Sequence, residues 1–484
     1  MPKNITERLY QLIVSRLDGE EIPKGPYRRR ILRLVEAGVG GFIVFGGMAD
    51  AVGPFIEEIQ AASPSPLFIA SDIERGVGQQ IKGFTEFPPQ MAQAAAIDRN
   101  RPEDVRLLRS AIAAIADEAS CAGINMPLIP VLDVNRNPDN PIICTRAFSD
   151  DCETVPWFGA EYIAALESSG LISSAKHFPG HGDTSTDSHM ALPVIGKSYD
   201  ELMREDIAPF KEAIGKGVGS IMAGHLLVPA LSDKPASMSE RIITGLLRGE
   251  LGFGGLVLTD ALNMDALKGF GNVPAGCLNA GADILLHPSD PDETVRELLF
   301  ALKSGIVKES RIDEALSRIA RAKEKIRLRR RIEPDLQANR RLSSGITERS
   351  ITLVKHTRGV LPLSGKVSVV LAGDRGIYEK SRFKSYFRDA RNPETTVFAI
   401  FTAVSAWKGN SGISDVERQR VSALIRKSPM SVVVSFGSPY VLRCFNEADI
   451  LIAAYGPDDE AQRAVIERLK GDAPFKGRLP VKIS

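Results

Sequence analysis

The segment Lys176–His189, KHFPGHGDTSTDSH, places three of the chain's six histidines, two aspartates and a lysine in one short stretch. Pro179, Gly180 and Gly182 interrupt it, so it cannot form a regular helix. It follows an apolar run, Leu171–Ala175, that reads as a buried strand. A strand that stops and releases a polar, titratable loop is how α/β enzymes present reactive groups. Asp187 and His189 stand one residue apart, a spacing that lets the carboxylate hold one imidazole nitrogen in an extended segment. The ring would then have a fixed tautomer and could donate a proton and later remove one. The plainer alternative is an Asx turn beside an exposed histidine.

Other apolar runs end in polar groups of the same kind. IASDIERG delivers Asp72, Glu74 and Arg75, and another run ends near Asp133 and Asn135, with Arg146 in the loop beyond. The His-rich run itself delivers Lys176 and His177, the next delivers His225, and GLVLTDALNMDAL delivers Asp260. A carboxylate directly after a buried strand is rigidly held, so Asp260 suits a nucleophile or an electrostatic stabiliser; the alternative is an N-cap for a following helix. Lys176, Arg146 and Asp72 suit clamps on sugar hydroxyls, although rim ion pairs would use the same residue types. A metal site would draw on His177, His181, Asp183, Asp187 and His189. His177 and His181 flank Phe-Pro-Gly, however, which denies them the spacing of a helical zinc pair, and no H-x-H pair follows an early strand. Neither a metal nor a cofactor is expected.

The elements that must position these groups alternate. Apolar runs at Gly41–Phe45, Pro66–Ser71, Asn125–Leu132, Ile172–Ala175, Ser220–Ala223, Leu256–Leu258 and Asp283–Leu286 are separated by helical patterns. Strand followed by helix, repeated, predicts parallel strands with helical crossovers, and apolar strands predict burial on both faces. The expected fold class is α/β: a TIM-like (β/α) barrel over residues 1–331, incomplete or irregular because seven strands are legible rather than eight. A basic helix, Arg311–Arg331, closes it, and a polar stretch at 332–347 reads as a linker. Residues 348–484 show strands at Val367–Leu371, Thr396–Phe401, Ser431–Phe436 and Ile450–Ala454, and predict a smaller layered α/β sandwich domain. No Gly-rich phosphate loop of Rossmann or P-loop spacing is present.

With 484 residues, 43% hydrophobic and 25% charged, the chain can bury two large cores. A net charge of +1 argues against nucleic acid or an anionic membrane surface as a partner. The start, MPKNITERLYQLIVSRL, is amphipathic and lacks the apolar core of a signal peptide, and no run is long enough to span a bilayer, so a cytoplasmic location is expected. Five scattered cysteines, with no C-x-x-C pair, signal neither a disulfide framework nor structural zinc.

KHFPGHGDTSTDSH followed by ALPVI resembles the signature of the bacterial β-N-acetylglucosaminidases of glycoside hydrolase family 3. SDIERG, TRAFSDD and LTDALNM are similar to that family's sugar-binding Asp segment, Arg loop and nucleophile segment. ERSITLVKHTRGVLPL, VVVSFGSPYVL and GRLPVKIS resemble parts of its second domain. The resemblance implies a retaining exo-β-N-acetylhexosaminidase with Asp260 as nucleophile and His189 as general acid/base oriented by Asp187. Asp72, Arg146, Lys176 and His177 would bind the sugar. Implied substrates are N-acetylglucosaminides, including peptidoglycan fragments and chitin oligomers. Phosphorolysis of the same glycosides, a β-glucosidase and a non-catalytic carbohydrate-binding protein are the alternatives. The chain departs from many relatives at Arg75-Gly76-Val77, where a Gly-Gly-Arg run is usual, and at Gln80, where an Arg is usual.

Overall fold

The computed structural model describes residues 4–327, 333–357, 361–388, 390, 392–405 and 407–483. Its packing divides the chain into two units: one holds 1–86, 109–134 and 152–339, the other 87–108, 135–151 and 340–484.

The first unit contains a ring of parallel strands: β1 (Ile13–Asp18), β2 (Gly41–Phe45), β3 (Phe68–Ser71), β4 (Met126–Pro127), β5 (Ser174–Phe178), β6 (Ser220–Ala223), β7 (Leu256–Thr259) and β8 (Leu285–Leu286). Five of them form a sheet in the order β4-β3-β2-β1-β8 and three form a sheet in the order β5-β6-β7. Parallel bridges Val131↔Lys176 and Leu258↔Ile284 join the two sheets, so the expected barrel is complete. The strand missing from the sequence reading is β1. The chain starts with a short helix, Ile5–Tyr10, capped by the Asn4 side chain on the Glu7 N–H. It then passes into β1, which pairs with β2 on one side and β8 on the other. Helix and strand adjoin without a Gly or Pro between them, and together they mimic one amphipathic helix.

Buried apolar strands explain why the ring packs. β3, β5, β6 and β7 are buried at every position. At the foot of β8, the fully buried carboxylate of Asp283 is held by Arg248 (2.7 Å), Arg311 (3.0 Å) and Arg318 (3.1 Å). It also accepts the Val257 N–H at 3.0 Å, which ties β8 to β7.

The second unit is built on one sheet of five described strands, in the order β10-β11-β12-β13-β9. These are β9 (Thr352–His356), β10 (Val367–Gly373), β11 (Thr395–Phe401), β12 (Ser431–Phe436) and β13 (Ile450–Ala453). β10 to β13 are parallel, and β9, which the sequence reading missed, runs antiparallel at the edge. Alternate residues of β11 enter different cores. Phe398 and Ile400 pack with Val421 and Ile425 of the helix Asp415–Ile425, whereas Val397, Ala399 and Phe401 pack with Ala464, Val465 and Leu469 of the helix Asp459–Lys470. This is a layered α/β sandwich.

The expected boundaries, 1–331, 332–347 and 348–484, need correction. Two stretches from the first third of the chain pack in the second unit, because Met91, Ala92, Ala95 and Cys144 are buried in its core. The expected linker is mostly helix, Leu336–Ser350, with Ile346 and Thr347 buried. Its first residue, and the end of the expected basic helix beyond Arg327, lie outside the described residues; the described part of that helix is Glu309–Arg327.

Candidate active site

The first unit collects its titratable groups where its strands end. Lys176, in β5, is buried and reaches across to the loop after β3, with Nζ 2.6 Å from Asp72 Oδ1 and 2.7 Å from Glu74 Oε1. A lysine this deep needs such partners, because a desolvated ammonium is costly unless paired. Asp72 keeps part of its carboxylate exposed, whereas Glu74 is buried. The residues that depart from the family pattern have local work here. Arg75 pairs with Glu86 at 2.9 Å, and the Gln80 amide donates to the Asp72 carbonyl at 3.2 Å.

His177 follows Lys176 across a shift in the β5–β6 register. Its Nδ1 lies 2.7 Å from Asp133 Oδ2. Oδ1 of the same carboxylate accepts the backbone N–H groups of His177 (3.2 Å) and His181 (2.7 Å). Asp133 is completely buried. Burial alone would raise its pKa, but His177 and His181 hold it below the ordinary carboxylate range.

The loop after β5 is a fixed structure. Both ring nitrogens of His181 are engaged by hydroxyls, Nδ1 with Thr184 Oγ1 (2.8 Å) and Nε2 with Ser188 Oγ (3.0 Å). Burial, with the neighbouring imidazole of His177 next, pushes His181 down to about 4, so it stands as a neutral spacer. Gly180 has φ +131°, and a Cβ there would lie 2.7 Å from Asp206 Cβ, so only glycine fits. Asp187 is buried, and its Oδ1 accepts both the His189 N–H (2.9 Å) and His189 Nδ1 (2.8 Å). The His189 carbonyl accepts the Asp265 N–H at 3.3 Å, which docks the loop on the segment after β7.

Asp260 directly follows β7. Its N–H donates to the Ala223 carbonyl at 2.9 Å, and its Oδ1 accepts the Ala261 N–H at 2.8 Å. Burial would raise its pKa, but the imidazoles of His177, His225 and His189 and the Ala261 N–H outweigh burial and bring it to about 2. His225 is the prop beneath it: Ser237 Oγ lies 2.7 Å from Nδ1, and Nε2 donates to the Ala261 carbonyl at 3.1 Å. Burial pushes His225 down, so the ring is neutral.

Six of the expected residues, Asp72, Lys176, His177, Asp187, His189 and Asp260, therefore stand in the first unit at strand ends or in the loop after β5. Arg146 belongs to the second unit, in a turn at Cys144–Arg146 where its guanidinium donates to the Ile142 carbonyl at 2.9 Å. The sequence reading noted Glu74, Asp133 and His225 as strand-end groups without a role, and His181 as a possible ligand. Their positions after apolar runs are the available signal; Glu74 and Asp133 find their partners far away in sequence, whereas the hydroxyls that engage His181 lie three and seven residues on.

The arrangement offers a carboxylate within the electrostatic reach of three imidazoles, one of them held by Asp187 in a loop docked on the segment after Asp260, and a cluster of polar groups for hydroxyls. The family model "Glycosyl hydrolase family 3 N terminal domain" matches residues 5–322. A Cellulomonas fimi protein named "Beta-N-acetylglucosaminidase/beta-glucosidase" is 29% identical, over 92% of this chain and 88% of its own. The solved structure of a glycoside hydrolase family 3 β-N-acetylglucosaminidase from Paenibacillus sp. str. FPU-7 superposes with a TM-score of 0.86 at 28% identity, covering 100% of this chain and 99% of that one. A β-glucoside phosphorylase, BglX, bound to 2FGlc superposes with a TM-score of 0.85 at 25% identity, covering 99% of this chain and 94% of that one.

Proposed function

The chain belongs to glycosyl hydrolase family 3, and from that premise we propose that it is a retaining exo-β-N-acetylhexosaminidase that removes terminal β-linked N-acetylglucosamine. The observation that carries the mechanism is the Asp187–His189 pair, 2.8 Å apart, in a loop docked on the segment that follows Asp260.

In the first step Asp260 attacks the anomeric carbon. The bond to the leaving oxygen breaks as that oxygen takes the proton from His189 Nε2, and the sugar becomes esterified to Asp260. In the second step His189 Nε2 removes a proton from water, the water oxygen bonds to the anomeric carbon, and the Asp260 ester breaks. Two inversions give net retention. A pKa of about 2 supports the nucleophile's role, because Asp260 is then ionised at every pH where the enzyme would work. Asp187 suits the orienting role, since one oxygen fixes both the ring and the backbone of His189. Asp72, Lys176 and His177 would bind the sugar hydroxyls, and the natural source would be peptidoglycan fragments or chitin oligomers.

Phosphorolysis is the second reading. It is favoured by the likeness to BglX and by an acid/base that, when neutral, does not repel phosphate. Added phosphate that raises turnover and yields the sugar 1-phosphate would establish it. The primary test is trapping with a fluorinated N-acetylglucosaminyl donor, followed by mass spectrometry. The expected label is on the peptide carrying Asp260 and is lost in Asp260→Ala. A label on another residue, or a product of inverted anomeric configuration, would overturn the mechanism.

A further inference from the structure

One buried imidazole in the first unit has no part in the mechanism above. His287 directly follows β8, is 8% exposed, and has φ +47°. A left-handed backbone is uncommon for histidine and is kept only where its surroundings hold it. Here they do: the His287 N–H donates to the Val14 carbonyl of β1 at 2.8 Å, and the preceding Leu286 N–H donates to Thr259 Oγ1 of β7 at 3.0 Å. The ring lies 5.5 Å from the Phe45 ring at the end of β2, and the Arg16 guanidinium covers that phenyl at 5.1 Å. Among the described residues neither ring nitrogen of His287 makes a hydrogen bond, and neither is among the buried polar atoms left unsatisfied, so the polar edge of this mostly buried ring is open to solvent and can serve a ligand. The carboxylate of Asp72 lies within electrostatic range of the ring.

We propose that His287 is a specificity-determining residue of the sugar site, hydrogen-bonding a hydroxyl of the terminal sugar on the side held by Asp72, with Phe45 as the apolar wall behind it. The proposal rests on the glycosidase reading above and deepens it. An apolar ring face, a single nitrogen donor or acceptor and a neighbouring carboxylate are what a neutral sugar edge requires. Burial, with Arg16 next, pushes His287 down to about 4, so the ring offers a hydrogen bond without charge and gives no advantage to an acidic sugar.

The test compares the full-length protein with His287→Ala and His287→Asn; asparagine tolerates the left-handed backbone but is too short to reach the same hydroxyl. Each is assayed on an aryl β-N-acetylglucosaminide and its 3-, 4- and 6-monodeoxy analogues. The wild type is expected to lose about tenfold in kcat/KM on one analogue, as a neutral hydrogen bond implies. In both variants that penalty should disappear while the other two persist. A variant that keeps all three penalties, or one that loses only thermal stability, would overturn the proposal. Calorimetric binding of the free monodeoxy N-acetylglucosamines gives the same comparison without turnover. A wild type that binds but does not hydrolyse would therefore defeat the glycosidase reading and leave this one decidable.

Discussion

Replacing Asp133 by asparagine tests whether one buried carboxylate sets the ring of His177. Asp133 accepts three N–H groups, from the backbone of His177 (3.2 Å), the backbone of His181 (2.7 Å) and His177 Nδ1 (2.7 Å). It thereby keeps a proton on Nδ1. Asparagine retains one carbonyl oxygen, which can still serve the two backbone donors, but it puts an amino group where the other oxygen stood. That group aims a donor at Nδ1, and the ring is satisfied only if its proton moves to Nε2, so the polarity of its far edge reverses. Charged hydrogen bonds are worth about 1.5–3 kcal/mol and neutral ones about 0.5–1.5, so converting three loses about 3 kcal/mol. Relief of the buried charge offsets part of this, leaving a net destabilisation of about 1–3 kcal/mol, or a few degrees in Tm. Asp133→Ala orphans all three donors at about 1–3 kcal/mol each and should cost at least about 3 kcal/mol. The reversed ring edge should lower kcat/KM by about 10–100-fold, the value of one mispaired buried group. Thermal unfolding, steady-state kinetics and the ¹⁵N shifts of the imidazole read the three effects. An asparagine variant with unchanged Tm, kcat/KM and tautomer would refute the reasoning.

Three further outcomes are expected. His189→Ala should lose about 10²–10⁴-fold on substrates with poor leaving groups and much less on activated aryl glycosides; equal loss across a leaving-group series would remove His189 from the acid role. Lys176→Met should destabilise the protein by about 3–5 kcal/mol, because it leaves buried Glu74 without the ammonium 2.7 Å away. Adding Glu74→Gln should restore most of the Tm but not activity, and a single variant as stable as wild type would contradict this. Asp260, lowered from 3.8 to about 2, contributes stability that is fully present above pH 4 and is lost as pH falls towards 2. Asp260→Asn should therefore flatten the acid limb of a Tm-against-pH curve, and an unchanged limb would count against the depressed value.

Much of the molecule was legible because burial and chemistry wrote simple patterns. β2, β6, β7 and β12 are mostly apolar and buried at nearly every position, as strands covered on both faces must be. β1 carries Arg16 at an exposed position and joins a helix without a breaker, so periodicity misassigned it. β9 is half-buried and charged at Lys355, an edge-strand habit that reads as loop. Asp72, Lys176 and Asp260 could be picked out because each is a charged group at or just beyond the end of an apolar run. The roles of Asp133, Glu74 and His225 could not, because each depends on a partner from another strand or loop that only the closed ring brings near. The packing of 87–108 and 135–151 with the second unit was hidden for the same reason: local pattern records that Met91 and Cys144 are apolar, not which core receives them.

The ring of strands is sealed by its earliest and latest members, β1 at Ile13–Asp18 and β8 at Leu285–Leu286. A ribosome releases the first of these long before the second exists, so the seam stays open through most of synthesis. During that interval β1 and, once it is made, β7 offer bare hydrogen-bonding edges, the kind of surface that recruits other chains. Trimming the N-terminal twenty or so residues would make that interval permanent. Such a protein should aggregate although every catalytic side chain remains encoded, and adding the β1 peptide in trans is the rescue to try.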